Sequence, residues 1–197
     1  MVNPDRTKLS GLLQVDETYV SAGRVRPTKG RGGGKPVVVC AVEVKDKTAG
    51  RVRLRRIEDA TEESLKDFIE AHIDKGSTLV TDGWKGYFNV KQWGYRHIVK
   101  IGETSVDVAK QLIHVHRVFS NLKAWLIGTH HGVSSKHLQA YLNEFTFRYN
   151  RRKNPQAAFL AVLGISSHRG GPTYSEIYNA GEESGGWIHP NPLGVSE

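Results

Sequence analysis

One apolar segment constrains the fold of this chain more than any other, the run PVVVCAVEV at positions 36–44. Valine dominates it, and no polar side chain interrupts it before Glu43. A strand with one solvated face would alternate apolar and polar residues, whereas a strand that is covered on both faces does not. The segment therefore predicts a sheet strand that is buried on both of its faces.

Other elements are indicated by their periodicities. Asp59 and Glu62 have capping-box spacing, so a helix is expected to begin near Ala60 and to end at Gly76. Apolar residues at intervals of three and four predict two later helices, over 112–126 and 138–149, that pack on the sheet. Alternation and β-prone composition predict four more strands, over residues 13–20, 51–57, 78–84 and 95–100.

The order of these elements is three strands, a helix, two strands and two helices, which is the RNase H-like order. We expect an α/β fold with an RNase H-like mixed sheet of about five strands flanked by helices, over residues 12–164. Residues 1–11 are expected to form an N-terminal tail. Residues 165–197, where glycine, proline and serine become frequent, are expected to form a poorly ordered C-terminal tail.

Charge and composition limit the kinds of function that are compatible with this sequence. The chain has 197 residues, a formal net charge of +8 and a pI near 9.6, which favours a polyanionic partner such as nucleic acid. Its single cysteine, Cys40, can form neither a disulfide framework nor a cysteine-based zinc site, which fits a reducing cytoplasm. No apolar stretch approaches the ~20 residues that span a bilayer, so no membrane association is expected.

Two aspartates are candidates for a metal site. Alternation along the first strand places Asp16 on the same face as Thr18 and turns Glu17 to the opposite face, so the strand geometry alone does not bring both acids into one site. Asp82 ends the fourth strand, beside Gly83. Carboxylates from neighbouring strands are the hard ligands that Mg²⁺ prefers, and paired metal ions serve phosphodiester chemistry. Alternatively, Asp16 is a solvated edge residue and Asp82 only starts a turn.

Four blocks of sequence carry a family resemblance. They are VDETYV at 15–20, TDGWKGY at 81–87, SNLKAWLIGTHHGVS at 120–134 and KHLQAYLNEFTFRYNRR at 136–152. In this order they resemble the ISXO-type transposase domain of the DDE-type transposases of bacterial insertion sequences. The resemblance implies an RNase H-like fold, Mg²⁺ or Mn²⁺ as cofactor, and Asp16 and Asp82 as the first two catalytic carboxylates. It also implies double-stranded DNA as partner and a possible homo-oligomer in a synaptic complex.

The third catalytic position departs from the acidic form of the family, which has a glutamate seven residues before the lysine that matches Lys123. Here that position is His116, while a D-D-N form of the family points to Asn121. Helical geometry places His116 and Lys123 on one flank and turns Asn121 away from the core. His116 is therefore a candidate metal ligand or water-orienting group, or else a structural histidine at the core edge. Lys123 is a candidate phosphate contact, or else a solvated lysine.

Basic residues outside these blocks could bind DNA phosphates. A glycine-rich stretch of a predicted hairpin loop carries Arg24, Arg26, Lys29, Arg31 and Lys35, and the last predicted helix ends in Arg151 and Arg152. The alternative for the first group is a solvated loop without a DNA contact. The alternative for the second group is a favourable interaction with the helix dipole. Trp84 and Tyr87 could stack on an unpaired base but are more often packing residues.

These observations favour a transposase catalytic domain that hydrolyses phosphodiesters at insertion-sequence ends and transfers the freed 3′-hydroxyl to target DNA. Members of the resembled family commonly carry an N-terminal segment that recognises element ends, and we find no such segment in this sequence. Two alternatives therefore stay open, a truncated and inactive remnant that only binds DNA, and a host RNase H-like nuclease.

Overall fold

The computed structural model describes residues 7–20, 36–101 and 110–168. The described part contains five strands, four α-helices and a short 3₁₀ helix, Lys85–Tyr87. The strands are β1 (Leu12–Tyr19), β2 (Val37–Lys45), β3 (Thr48–Ile57), β4 (Thr78–Thr81) and β5 (Arg96–Val99). The α-helices are α1 (Glu62–His72), α2 (Ile113–His130), α3 (Leu138–Asn150) and α4 (Pro155–His168).

The strands form one mixed sheet in the order β3-β2-β1-β4-β5. β1 pairs antiparallel with β2, where Asp16 lies opposite Cys40, and parallel with β4, where Gln14 lies opposite Val80. β5 extends the parallel half of the sheet beside β4. This is the RNase H-like order, and the predicted mixed sheet of about five strands flanked by helices is confirmed.

β2 is buried on both faces, as its sequence predicts. Val38 and Cys40 belong to a core cluster that includes Phe119 of α2 and Leu142 of α3. Val39, on the other face, belongs to a second cluster that includes the α1 residues Leu65, Phe68 and Ile69. The sheet therefore has α2 and α3 on one side and α1 on the other, which leaves the strand ends as the place where polar side chains can gather.

Helix α1 begins and ends at different residues from those predicted. Its N-cap is Thr61, whose hydroxyl accepts a hydrogen bond from the backbone N–H of Ser64, and the predicted cap Asp59 instead accepts hydrogen bonds from the Thr61 and Ser64 hydroxyls. The helix ends at His72 because Ile73 is extended and forms a bridge with Leu9. The prediction of a capped helix start was correct, but the N-cap residue lies two positions later in the sequence than predicted.

The folded region extends beyond both predicted limits. Leu9 is fully buried, so the core begins before residue 12. At the other end α4 continues to His168, past the expected limit at residue 164, because nothing in Gly164 itself terminates a helix with apolar neighbours. The expected disorder of the tail beyond His168 and the expected loop at 21–35 lie outside the described residues. Within the described part, no helix is long and apolar enough to cross a membrane.

Candidate active site

The two predicted catalytic aspartates line one cleft at the end of the sheet. The pairing of β1 with β4 ends at Gln14 and Val80, and β1 continues for several residues beyond it. β4 ends at Thr81, so Asp82 leaves the sheet beside the open edge of β1. The cleft has a volume of about 340 Å³ and is lined by Asp16, Glu17, Tyr19, Ala60, Thr61, Asp82 and Trp84.

Asp16 is the most deeply buried acid in this cleft, with 8% of its surface exposed. Burial raises the pKa of its carboxyl group to about 8, and the nearby charges of Glu17 and Asp82 act in the same direction. The backbone N–H of Glu17 donates to Asp16 Oδ1 at 2.8 Å, and the charge of Lys123 also favours the carboxylate. Three acids therefore crowd one partly desolvated site, an arrangement that a bound cation would stabilise.

The segment after β4 fixes the second aspartate. Asp82 Oδ1 accepts a hydrogen bond from the backbone N–H of Trp84 at 3.0 Å, and the indole Nε1 of Trp84 donates to the carbonyl of Ala60 at 2.9 Å. The plain alternative that Asp82 starts a turn therefore describes its backbone correctly. The same turn also holds the Asp82 side chain at the cleft.

Helix α2 is aligned over β1 by Gln14. Its side-chain Oε1 accepts hydrogen bonds from the backbone N–H groups of His114 and Val115, at 2.9 and 3.2 Å, which occupies donors that the first turn of a helix leaves free. Gln14 and Asp16 lie on the same face of β1, so this contact brings the start of α2 toward Asp16.

His116 accordingly reaches the first aspartate, with its Nε2 atom 3.5 Å from Asp16 Oδ2. Burial lowers the pKa of His116. The charge of Asp82 opposes this shift, and the charge of Lys123 adds to it. The imidazole is therefore neutral at physiological pH. Asn121, the other candidate for the third position, is exposed.

Lys123 lies on the same face of α2 as His116. Its Nζ atom donates to the Thr18 hydroxyl at 2.8 Å, and Thr18 is on the Asp16 face of β1, two residues along the strand. The predicted sharing of one helix flank by His116 and Lys123 matches this arrangement. Both side chains therefore border the region around Asp16.

Glu17 and Tyr87 border this region as a pair that the sequence did not predict. Glu17 lines the cleft beside Asp16, although alternation sends its side chain to the other face of β1, where its Oε2 atom accepts a 2.7 Å hydrogen bond from the Tyr87 hydroxyl. Both faces contribute because the cleft opens at the strand edge. Tyr87 is 1% exposed and so is a packing residue rather than a stacking platform, whereas Trp84 does line the cleft. No spacing rule relates Glu17 to Tyr87, so no signal in the sequence could have paired them.

The predicted DNA-binding arginines at the end of α3 lie elsewhere. Arg152 donates to the carbonyls of Ala49 and Gly50, next to the β2–β3 turn, and its guanidinium lies 4.0 Å from the ring centroid of Tyr149. Arg151 lies 4.0 Å from the ring centroid of Phe147. That turn is at the end of the sheet where β1 begins, so these arginines do not extend the cleft. Arg24, Arg26, Lys29, Arg31 and Lys35 lie outside the described residues.

The assignment of Asp16, Asp82 and His116 as metal ligands stays a prediction. Among the residues that the structure describes, no three histidine, cysteine, aspartate or glutamate side chains are grouped so that they could hold a metal ion. The imidazole Nε2 lies 3.5 Å from Asp16 Oδ2, and the charge of Asp82 also acts on this ring. The two aspartates by themselves fit a hard divalent cation, which commonly takes one or two carboxylates and completes its shell with water and substrate phosphates.

The chain has similarities to solved structures and to one protein family. The catalytic core domain of BIV integrase, in a crystal structure, has a TM-score of 0.48 and 19% identity, covering 88% of this chain and 97% of its own. A simian T-cell lymphotropic virus intasome with the PP2A regulatory subunit B56 gamma, solved by cryo-EM, has a TM-score of 0.46 and 12% identity, covering 99% of this chain and 66% of its own. No curated protein matches the sequence. The sequence model of the ISXO2-like transposase domain matches residues 8–150, and the chain belongs to this family.

Proposed function

We propose that this chain is the catalytic domain of a DNA transposase that hydrolyses phosphodiesters at insertion-sequence ends and transfers the resulting 3′-hydroxyl to target DNA. Membership of the transposase family supports the class of function. The observation that carries the proposed chemistry is the meeting of Asp16 and Asp82, from neighbouring parallel strands, in one cleft.

Asp16 and Asp82 would hold Mg²⁺ or Mn²⁺, and such an ion, when bound, activates the attacking oxygen and stabilises the charge that develops on the phosphate. Because the cleft already concentrates negative charge, it favours a cation over an unaccompanied phosphate. The substrate phosphate is then expected to enter with the ion rather than before it.

His116 is proposed as the third member of the site. A neutral imidazole beside Asp16 can accept a proton from the attacking water or 3′-hydroxyl, and Asp16 can orient the ring through the 3.5 Å contact. Asn121, which is exposed on α2, is the alternative. Lys123, near Thr18, is proposed to contact a phosphate next to the scissile bond.

Double-stranded DNA, as element ends and as target, is the proposed partner. The net charge of +8 supports a polyanionic partner, and the glycine-rich basic residues Arg24 to Lys35 are proposed as further phosphate contacts. A homo-oligomer is proposed because joining two element ends requires two active sites that act together. The catalytic chemistry itself needs few residues, since phosphoryl transfer depends on position and charge neutralisation.

Nicking of supercoiled plasmid tests this function. The purified chain is incubated with plasmid and Mn²⁺, with EDTA and with Asp82→Asn as controls. We expect cation-dependent nicking that the variant lacks. DNA binding without nicking would favour the inactive remnant, and nicking that ignores cloned element ends would favour a host nuclease.

A further inference from the structure

We propose that Glu17 is a positioning residue for the divalent cation, held by the hydroxyl of Tyr87, and that it adds a third carboxyl group to the cleft without being a ligand. This inference rests on the proposed function, because it takes Asp16 and Asp82 as the residues that hold the cation. It assigns a task to the glutamate of the VDETYV block, which the proposed mechanism does not use.

The position of the Glu17 side chain is fixed by the hydroxyl group of Tyr87. Tyr87 Oη donates to Glu17 Oε2 at 2.7 Å, and the tyrosine itself is almost completely buried. A hydrogen bond from a buried hydroxyl restricts the rotamers of the carboxylate that accepts it. Glu17 nevertheless lines the same cleft as Asp16 and Asp82, so its charge acts on whatever occupies that cleft.

Tyr87 has little freedom to move. The preceding residue, Gly86, packs so closely on α1 that an added Cβ would lie 2.6 Å from Leu65 Cδ1 and 3.0 Å from the Ala60 carbonyl oxygen. The Trp84 indole is bonded to the same carbonyl. The TDGWKGY block thus fixes Asp82 at its start and the Tyr87 hydroxyl at its end, so one short segment sets the positions of two acids.

Glu17 is also connected to the first aspartate through the backbone. Its N–H donates to Asp16 Oδ1 at 2.8 Å, so a shift of Glu17 changes the direction of the Asp16 carboxylate. Helix α2 contributes a histidine rather than a carboxylate here, and Glu17 of β1 supplies a third carboxyl group to the cleft. The proposal gives Glu17 a supporting role because its carboxylate is already held by the Tyr87 hydroxyl.

Binding of Mn²⁺ to the full chain, without DNA, tests this role. The electron paramagnetic resonance signal of free Mn²⁺ gives the affinity of the wild type and of Glu17→Gln, Tyr87→Phe and Asp82→Asn. Glu63→Gln removes an exposed charge near the start of α1, and Tyr95→Phe removes a buried hydroxyl that donates to Ile73, far from the cleft. Thermal unfolding without cation shows which variants are folded.

We expect Glu17→Gln to weaken Mn²⁺ binding about 10–100-fold, as residues that support metal ligands do, and Tyr87→Phe to weaken it by a smaller factor. Both controls should bind within about twofold of the wild type, because neither contacts the cleft. Wild-type affinity in Glu17→Gln would overturn the inference and leave the proposed function intact. Absence of wild-type binding, or wild-type affinity in Asp82→Asn, would overturn both. If Tyr87→Phe does not fold, Glu17→Gln decides alone.

Discussion

Nε2 of His116 on α2 lies 3.5 Å from Oδ2 of Asp16 on β1. This contact links the α2 face of the sheet to the edge that carries the cleft, and Gln14 supports it by binding the first turn of α2. Burial lowers the pKa of His116, which favours the neutral imidazole in this pair. His116 is thus placed to affect proton transfer in the cleft.

The first prediction separates the two candidates for the third catalytic position. His116→Ala should lower the rate of DNA nicking at least about tenfold, because it removes the base beside Asp16. Asn121→Ala should change the rate by less than about threefold, because a residue that points to solvent contributes little. Single-turnover nicking with Mn²⁺ measures both rates. A large loss in Asn121→Ala with none in His116→Ala would reverse the assignment.

The second prediction concerns Lys123. Lys123→Ala should weaken DNA binding for all sequences alike, and the slope of log K against log salt should become shallower by about 0.9, the value for one lost phosphate contact. Fluorescence anisotropy of labelled duplex DNA at several salt concentrations measures this slope.

Lys47→Ala is the matched control for Lys123→Ala, because Lys47 lies in the turn between β2 and β3, at the other end of the sheet. Its salt slope should equal that of the wild type. Equal slopes for all three proteins would show that Lys123 does not contact a phosphate.

The third prediction tests the close packing of the TDGWKGY block. Gly86→Ala should reduce the free energy of unfolding by about 1–3 kcal/mol, because the new methyl group would meet Leu65, Ala60 and Trp84. Gly128→Ala, where nothing lies within 4 Å of the added Cβ, should be neutral or stabilise α2 by up to about 1 kcal/mol. Urea denaturation measures both changes. Equal effects would contradict the close approach at Gly86.

Much of the architecture could be predicted because it depends on patterns that are local in the sequence. The uninterrupted valines of β2 predicted burial on both faces, and β2 indeed contributes to both core clusters. The 100° rotation per helical residue predicted that His116 and Lys123 share a flank, and both lie near β1 residues of the Asp16 face. These properties follow from backbone geometry alone.

The misses depend on contacts between distant residues. Alternation describes Glu17 correctly as facing away from Asp16, but it does not show that the cleft opens at a strand edge where both faces meet. The DNA surface predicted at the basic end of α3 stays a prediction, but the sequence did not show that Arg152 binds carbonyls of the β2–β3 region. Such pairings depend on which element packs where, and composition or spacing does not encode them.

The fourth prediction concerns acid stability. Burial by itself would raise the pKa of Glu43, but hydrogen bonds from Arg51 and from the backbone of Ser10 outweigh it and hold the pKa below the ordinary value of 4.5. A lowered pKa in the folded state contributes stability above pH 4.5, and this contribution is lost as the pH falls through the folded-state pKa.

Glu43→Gln should therefore reduce the free energy of unfolding by about 2–4 kcal/mol at pH 7, because it leaves Arg51 without its ion pair. The difference from the wild type should shrink as the pH falls below 4.5, where the wild-type carboxylate also takes up a proton. Urea denaturation at pH 7 and at low pH measures this, with the exposed Glu63→Gln as control. A difference that does not depend on pH would contradict the ion-pair account.

The most direct test of the central claim is the rate at which Asp82→Asn nicks supercoiled plasmid with Mn²⁺. The matched control is Asp46→Asn, the same substitution in the β2–β3 turn, where asparagine tolerates the positive φ of 48°. If Asp16 and Asp82 hold the catalytic cation, the nicking rate of Asp82→Asn should fall by more than about a hundredfold, which is the upper limit for residues that only support metal ligands. Asp46→Asn should nick at nearly the wild-type rate. Nicking by Asp82→Asn at the wild-type rate would contradict the account.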